Sequence, residues 1–426
     1  MTDLSLQRRF AQPVCHTLGI DTKSPAISPS ISPAEAAVPD AGGSKRRAER
    51  YQLQRVAQRW LPEKRVSKCS RWPAHYRDDG IPSVDVLLNR TTGKASFGNL
   101  TVCGSVWHCP VCAAYITERR REELQQAIAT WSKPGGRIAL MTLTFPHGID
   151  ERAQALIDKL ADARSKFFGA RAFKEAMREV QSPGRVFALE ITTGGNGWHP
   201  HLHILIFYKG DEAGCLAAME QLRGFWASSV RRAGLGTVNE HGFDVRGGDY
   251  AAEYVAKFGK EPSSHLFWSA AHELTKSHIK RGKESSLSPF DLLRLVQAGA
   301  TITIGDRTIA PGQAAALFVE YAEAFHGRRQ LIWSPGLRDA LSLDAEQSDE
   351  ALAESEAQGE HIELIARLDR DDWRAVLNHN ARGYLIYLAE QYRSEIHIRE
   401  FIRMLRMKPP NDDEAYGVMN WHNWGP

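Results

Sequence analysis

Residues 185–208 read RVFALEITTGGNGWHPHLHILIFY. Two apolar runs flank a glycine-rich segment, GGNGWHP, which is the pattern of two strands joined by a turn. Successive side chains of a strand point to opposite faces. In 185–193, Phe187, Leu189 and Ile191 therefore share one face, and Ala188, Glu190 and Thr192 share the other. In 201–208, Leu202, Ile204 and Ile206 oppose His201 and His203. Residues 137–145 (RIALMTLTF) repeat the pattern, with Met141, Leu143 and Phe145 opposing Thr142 and Thr144. In a shared sheet, Thr142, Thr144, Glu190, His201 and His203 line one surface. Two imidazoles on one strand face, about 7 Å apart, can chelate a divalent ion. Glu190 offers a third, carboxylate ligand. Such a set suits Mn²⁺ or Mg²⁺ with open coordination positions. Solvent-facing polar residues on a half-buried sheet are the plainer alternative.

Outward from these strands the pattern alternates. Residues 151–180 read as helix with a break at Gly169, 211–232 as helix, 242–246 as a fourth strand and 250–258 as a short helix. In that last helix Tyr250, Tyr254 and Lys257 stand at i, i+4 and i+7, one stripe of a helix. A phenol with a pKa of about 10 is a poor nucleophile until a cation favours the phenolate. Lys257 and the expected metal supply that cation. Core packing of the two tyrosines is the alternative.

Upstream, Cys103-x₅-Cys109-Pro-Val-Cys112 reads as a metal knuckle, because a Cys-Pro-x-Cys turn aims two thiolates at one ion. Cys69, His108 and His75 are candidates for the fourth ligand. Tetrahedral thiolate coordination suits a structural Zn²⁺. Buried free cysteines are the alternative. Cys15 and Cys215 read as unliganded. A helix carrying Arg119, Arg120 and Arg121 follows the knuckle and is placed to offer arginines to DNA.

The 426 residues are 42% hydrophobic and 25% charged, an ordinary globular composition that suggests two or three domains. No apolar run approaches the roughly 20 residues that span a bilayer, and the first twenty residues lack the apolar core of a secretory signal. Six cysteines are too few for a disulfide framework, so a reducing cytoplasm is expected. Residues 339–372 hold 12 acidic and 2 basic side chains, so in a chain of net charge +3 the rest carries +13. Residues 45–71 alone hold 10 basic and 2 acidic side chains. A basic body of this kind fits a polyanion, and the acidic segment can fold back over it. The expected organisation is a disordered tail over 1–43, rich in Ser, Pro and Ala, then a basic helix and cysteine segment over 44–134. A strand-rich catalytic domain over 135–286 and a mainly helical region over 287–426, containing the acidic stretch 339–372, follow.

The ordered set of Thr142-Leu143-Thr144, His201-Leu202-His203 and Tyr254-x-x-Lys257 resembles the three motifs of HUH endonucleases. More closely, HPHLHILIF and EYVAKF, with CGSVWHCPVC upstream and RRQLIWSPGLR downstream, resemble the replication initiators of rolling-circle plasmids. The resemblance spans about Cys69 to Trp333. It implies an α+β fold: an antiparallel ferredoxin-like or RRM-like sheet with flanking helices, beside an N-terminal zinc-binding segment and a helical C-terminal region. It favours Cys69 as the fourth zinc ligand. It implies that His201 and His203 hold the divalent metal and that Tyr254 cuts one strand of origin DNA. The tyrosine stays on the 5′ phosphate and leaves a free 3′ hydroxyl. Many relatives carry a Glu four residues before the nucleophile, where this chain has Tyr250, as in two-tyrosine initiators and transposases. Glu253 and Asp249 are alternative bases. The partners implied are single-stranded and duplex origin DNA. No GxxxxGK(S/T) pattern is present, so a host helicase and polymerase are expected as well. Rival functions are a transposase or relaxase, a non-catalytic zinc-dependent DNA-binding regulator, and a hydrolase using metal-bound water.

Overall fold

The computed structural model describes residues 44–75, 83–257, 286–355 and 361–408, so the tail expected over 1–43 lies outside the described residues. In chain order the strands are β1 (Val84–Asn89), β2 (Ala95–Gly98), β3 (Arg137–Leu143), β4 (Gly184–Gly194), β5 (Gly197–Tyr208), β6 (Phe243–Arg246), β7 (Ser286–Leu287), β8 (Ile302–Ile304), β9 (Arg307–Ile309), β10 (Leu331–Trp333) and β11 (Ile362–Leu368). The first seven helices are α1 (Ser44–Trp60), α2 (Pro110–Ser132), α3 (Ala153–Gly169), α4 (Arg171–Glu179), α5 (Glu212–Glu220), α6 (Arg223–Arg232) and α7 (Gly248–Lys257). Later helices are named by their residues. The fold is mixed α/β, and all strand pairs among the described residues are antiparallel.

The main sheet has the order β10-β4-β5-β3-β6, with β7 paired to the end of β4. The β4–β5 hairpin closes through Gly194 opposite Gly197, so the turn is only Gly195-Asn196. Gly197 has a φ of +86°, a region open to glycine and strained for other residues. The longer turn expected from GGNGWHP is thus corrected: Trp198, His199 and Pro200 already belong to β5. Pro200 fits because it lies beyond the end of β3, where β5 has a partner on one side only.

One face of this sheet is largely apolar. Met141, Leu143, Leu189, Ile191, Leu202 and Ile204 pack against α3 and α6, with Leu156, Phe167 and Trp226 in the contact. Burying a side chain such as Phe167 contributes roughly 1.5–3 kcal/mol relative to exposure. The other face is divided. Ile138, Leu140, Val186, Ala188, Leu205 and Phe207 are covered by Leu124, Ala127 and Trp131 of α2 and by Ala251 and Val255 of α7. Thr142, Glu190, His201 and His203 continue the same face past that cover and are only partly buried.

Other expected elements shift. The break at Gly169 is present between α3 and α4. The single helix expected over 211–232 is two, because the chain turns at Gln221–Leu222 to bring both Leu222 and Trp226 into the core. In α1 the buried stripe is Tyr51, Leu53 and Ala57, while Trp60 is 40% exposed. The acidic stretch, expected within a mainly helical region, also contributes a strand. Its residues Ile362–Leu368 form β11, which pairs with β1 in a second sheet of order β11-β1-β2. The segments expected separately over 44–134 and 287–426 are therefore interleaved. α1 also packs against the helix Arg382–Tyr392.

Candidate active site and cysteine cluster

Strand register places the polar residues together. Thr142 lies opposite His203 across β3 and β5, and Glu190 lies opposite His201 across β4 and β5. Glu190 Oε2 is 3.5 Å from His201 Nε2 and 3.6 Å from His203 Nε2. The ligand atoms of these three residues lie within 4.8 Å of one another. His201 Nδ1 sits 3.2 Å from the His199 carbonyl. That contact holds Nδ1 against the strand and turns Nε2 towards Glu190. His203 Nδ1 is 3.1 Å from Thr142 Oγ1, an anchor that likewise turns its Nε2 inward. Burial, only partly opposed by the Glu190 carboxylate, pushes the His203 imidazole down to about 4. It is therefore neutral at pH 7, the form that binds a metal.

Two further histidines extend the row. His199 shares the face of His201 and His203, and its Nδ1 is 2.7 Å from His147 Nε2. His147 Nδ1 is 3.0 Å from the Asn196 carbonyl. Burial, together with His201 and His147, pushes His199 down to about 4. The two-residue period could have found His199. His147 follows the end of β3 and reaches the row only through the tertiary fold. Thr144 is not brought into the group: it lies past β3, its N–H donates to the Gly242 carbonyl, and its hydroxyl is 3.4 Å from the His241 carbonyl.

The helix α7 lies on the same face of the sheet as the histidines, because Ala251 and Val255 pack over β3 and its neighbours. The two glycines at its start matter. Gly248 N–H donates to Glu212 Oε2 at 2.9 Å, and a Cβ on Gly247 would meet the Glu212 carboxyl at 2.3 Å. Positions 250, 254 and 257 form a stripe beginning one residue, about 100°, from the buried one. The side chains of Tyr250, Glu253, Tyr254 and Lys257 lie outside the described residues. Asp249 is exposed.

The cysteine segment also converges. Cys69, Cys103, Cys109 and Cys112 are buried, and their sulfurs lie within 4.8 Å of one another. Cys69 Sγ is 3.5 Å from Cys112 Sγ and 3.8 Å from Cys109 Sγ. Backbone N–H groups of Cys103 and Cys112 donate to the sulfurs of Cys69 and Cys109 at 3.3 and 3.4 Å. Neither alternative ligand joins them. His75 is exposed, and His108 Nε2 is 2.8 Å from the Ala322 carbonyl while its ring stacks on His326. Cys215 is buried in α5 away from the group; Cys15 lies outside the described residues.

The family described as "Replication protein" matches residues 98–380. That interval holds three of the four clustered cysteines, the histidine strand and α7. This chain belongs to the replication protein family. The resemblance to rolling-circle plasmid initiators read from the motifs agrees with this membership. The chain is 29% identical over 366 residues to "Protein rep" of Streptomyces lividans, covering 69% of this chain and 76% of that protein. It is 28% identical over 192 residues to "Neomycin resistance protein" of Streptomyces cyanogenus, covering 37% of this chain and 44% of that protein. No solved structure matches.

In this replication protein the three arginines of α2 differ in setting. Arg119 is exposed and 3.0 Å from Glu122. Arg121 pairs with Glu118 and donates to Gln125 Oε1 at 2.9 Å. Arg120 corrects the expectation of a DNA-facing side chain. It is buried and lies 3.2 Å from both Glu346 and Asp349, because the acidic segment crosses α2 there. Among the described residues no helix is long and apolar enough to cross a membrane.

Proposed function

We propose that this replication protein initiates rolling-circle replication of a plasmid by nicking one strand of origin DNA with a tyrosine, in an HUH-type nuclease sheet. The observation that carries the reading is the placement of His201, His203 and Glu190 on the face that α7 also covers. Two imidazole Nε2 atoms and one carboxylate turned towards one another fit a divalent ion, so His201, His203 and Glu190 would hold Mn²⁺ or Mg²⁺. When bound, such an ion supplies Lewis-acid polarisation of the scissile phosphate. Tyr254 Oη attacks phosphorus, the phosphorus–O3′ bond breaks, and the phenol proton leaves to a base while O3′ departs as a hydroxyl. The product is a 5′-phosphotyrosine and a 3′-OH that a host polymerase extends in the cytoplasm behind a host helicase. Lys257 favours the phenolate, and Tyr250, one turn before Tyr254, serves a second transfer that joins the strand at termination. Thr142, Arg119 and Arg121 contact the DNA strand.

The four cysteines fit a structural Zn²⁺ in the segment leading into α2. Four thiol donors within reach of one point, with two backbone N–H groups already directed at sulfur, support that reading.

The test is incubation with labelled single-stranded origin DNA plus Mn²⁺ or Mg²⁺, followed by denaturing electrophoresis and peptide mapping. The expected result is a metal-dependent covalent adduct on Tyr254. Site-specific origin binding with no adduct under any metal would instead establish a non-catalytic regulator.

A further inference from the structure

The side chain of Arg382 is buried although it begins a helix of the C-terminal region, far along the chain from the cysteines. Its guanidinium donates to Gln54 Oε1 at 2.7 Å, to the Ser70 carbonyl at 3.0 Å and to the Tyr51 carbonyl at 3.2 Å, and lies over the Tyr51 ring at 5.0 Å. Every one of these acceptors is neutral. Its Nε has no partner, and it forms no ion pair with a carboxylate among the described residues. Arg55 and Arg71 add further positive charge nearby. A buried cation with only neutral partners is costly, and native structures rarely keep one without a compensating negative charge.

The compensation lies one side chain away. Gln54 accepts from Arg382 with its oxygen and donates with Nε2 to Cys109 Sγ at 3.2 Å and to Ser70 Oγ at 3.4 Å. Ser70 Oγ in turn is 3.7 Å from Cys69 Sγ. Four neutral thiols would leave Arg382 uncompensated. Four thiolates around one divalent ion carry a formal charge of two minus, of the sign and in the place that the guanidinium requires.

We infer that Arg382 is the counter-charge of a metal–thiolate centre at Cys69, Cys103, Cys109 and Cys112, relayed through Gln54, so that the ion fastens the C-terminal helices to the N-terminal segment. The inference rests on the proposed zinc site and is independent of the nicking chemistry. Gly383 completes the arrangement. A Cβ there would lie 2.4 Å from Ala48 Cα, so glycine is what lets this helix approach α1 closely enough to bring Arg382 to Gln54.

The experiment uses the full chain purified with reduced thiols. Zinc content is measured first, then zinc transfer to a chromogenic chelator, for the unaltered chain and for Arg382→Met, Arg382→Lys and Gln54→Leu. Changing groups behind the ligands commonly costs about 10- to 100-fold in metal affinity. Arg382→Met and Gln54→Leu should each lose zinc in that range, and Arg382→Lys should recover most of it. Hydrogen exchange in 382–392 should rise when the unaltered chain is stripped of zinc. If Arg382→Met fails to fold, Gln54→Leu and the exchange measurement decide. Unchanged zinc retention in Gln54→Leu, or unchanged exchange in 382–392 on stripping, overturns the inference while the zinc reading survives. An unaltered chain without zinc overturns both.

Discussion

Single atoms set what the histidine strand can do. The Thr142 hydroxyl and the His199 carbonyl hold the Nδ1 atoms of His203 and His201, which leaves both Nε2 atoms facing Glu190. Replacing His201 and His203 by alanine should abolish metal-dependent nicking while gel-shift binding of duplex origin DNA is largely kept. Full nicking by the double variant would remove the metal reading. Thr142→Val keeps the β-branched shape of the strand position and deletes only the hydroxyl. Mn²⁺ affinity by titration calorimetry should fall about 10- to 100-fold, with little change in thermal midpoint. Tyr254→Phe should stop the first cleavage and leave the fold intact, whereas Tyr250→Phe should permit it. Adducts mapped only to Tyr250 would reverse that assignment.

Elements bring these atoms within reach of one another. The hairpin turn Gly195-Asn196 fixes the β4–β5 register, and that register sets Glu190 against His201. Gly247, just before α7, and Gly248, its first residue, let the helix fold back from β6 across β3. The helix Arg382–Tyr392 approaches α1 so closely that position 383 admits no side chain. Gly383→Ala must push backbone from backbone, so it should destabilise the chain by roughly 1–3 kcal/mol. The denaturant midpoint measures this. A midpoint unchanged from the parent would show that the two helices part without cost.

At the scale of the whole molecule, charge and topology are entangled. Glu346, Asp349 and Glu350 of the acidic stretch pair with Arg120, Arg329 and Arg65. The same stretch continues into β11, a strand of the second sheet. Removing 339–372 outright should therefore unfold that sheet rather than simply uncover a basic surface. The informative variant is Glu346→Gln/Asp349→Asn/Glu350→Gln, which keeps the strand. Its affinity for origin duplex should equal or exceed that of the parent, and both should weaken steeply with added salt as counterions return to the phosphates. A marked loss of affinity in the triple variant would give the acidic residues a different role.

The sequence by itself determined the antiparallel strands around 185–208, the shared face of Glu190, His201 and His203, and the helical stripe of Tyr250, Tyr254 and Lys257. These follow from side-chain periods of 2 and 3.6, which are local properties of the chain. It also singled out the three close cysteines, since a Cys-Pro-x-Cys turn is a local signal. Only the tertiary structure decided that Cys69, rather than His75 or His108, completes the cluster. It alone brought His147 to His199, put α7 on the histidine face, buried Arg120 under acidic side chains, and seated Arg382 behind the cysteines. Each of these joins residues far apart in sequence, or selects one side of an element. Such choices are settled by which apolar faces are buried together and which buried charges find partners, and periodicity along the chain carries no record of either.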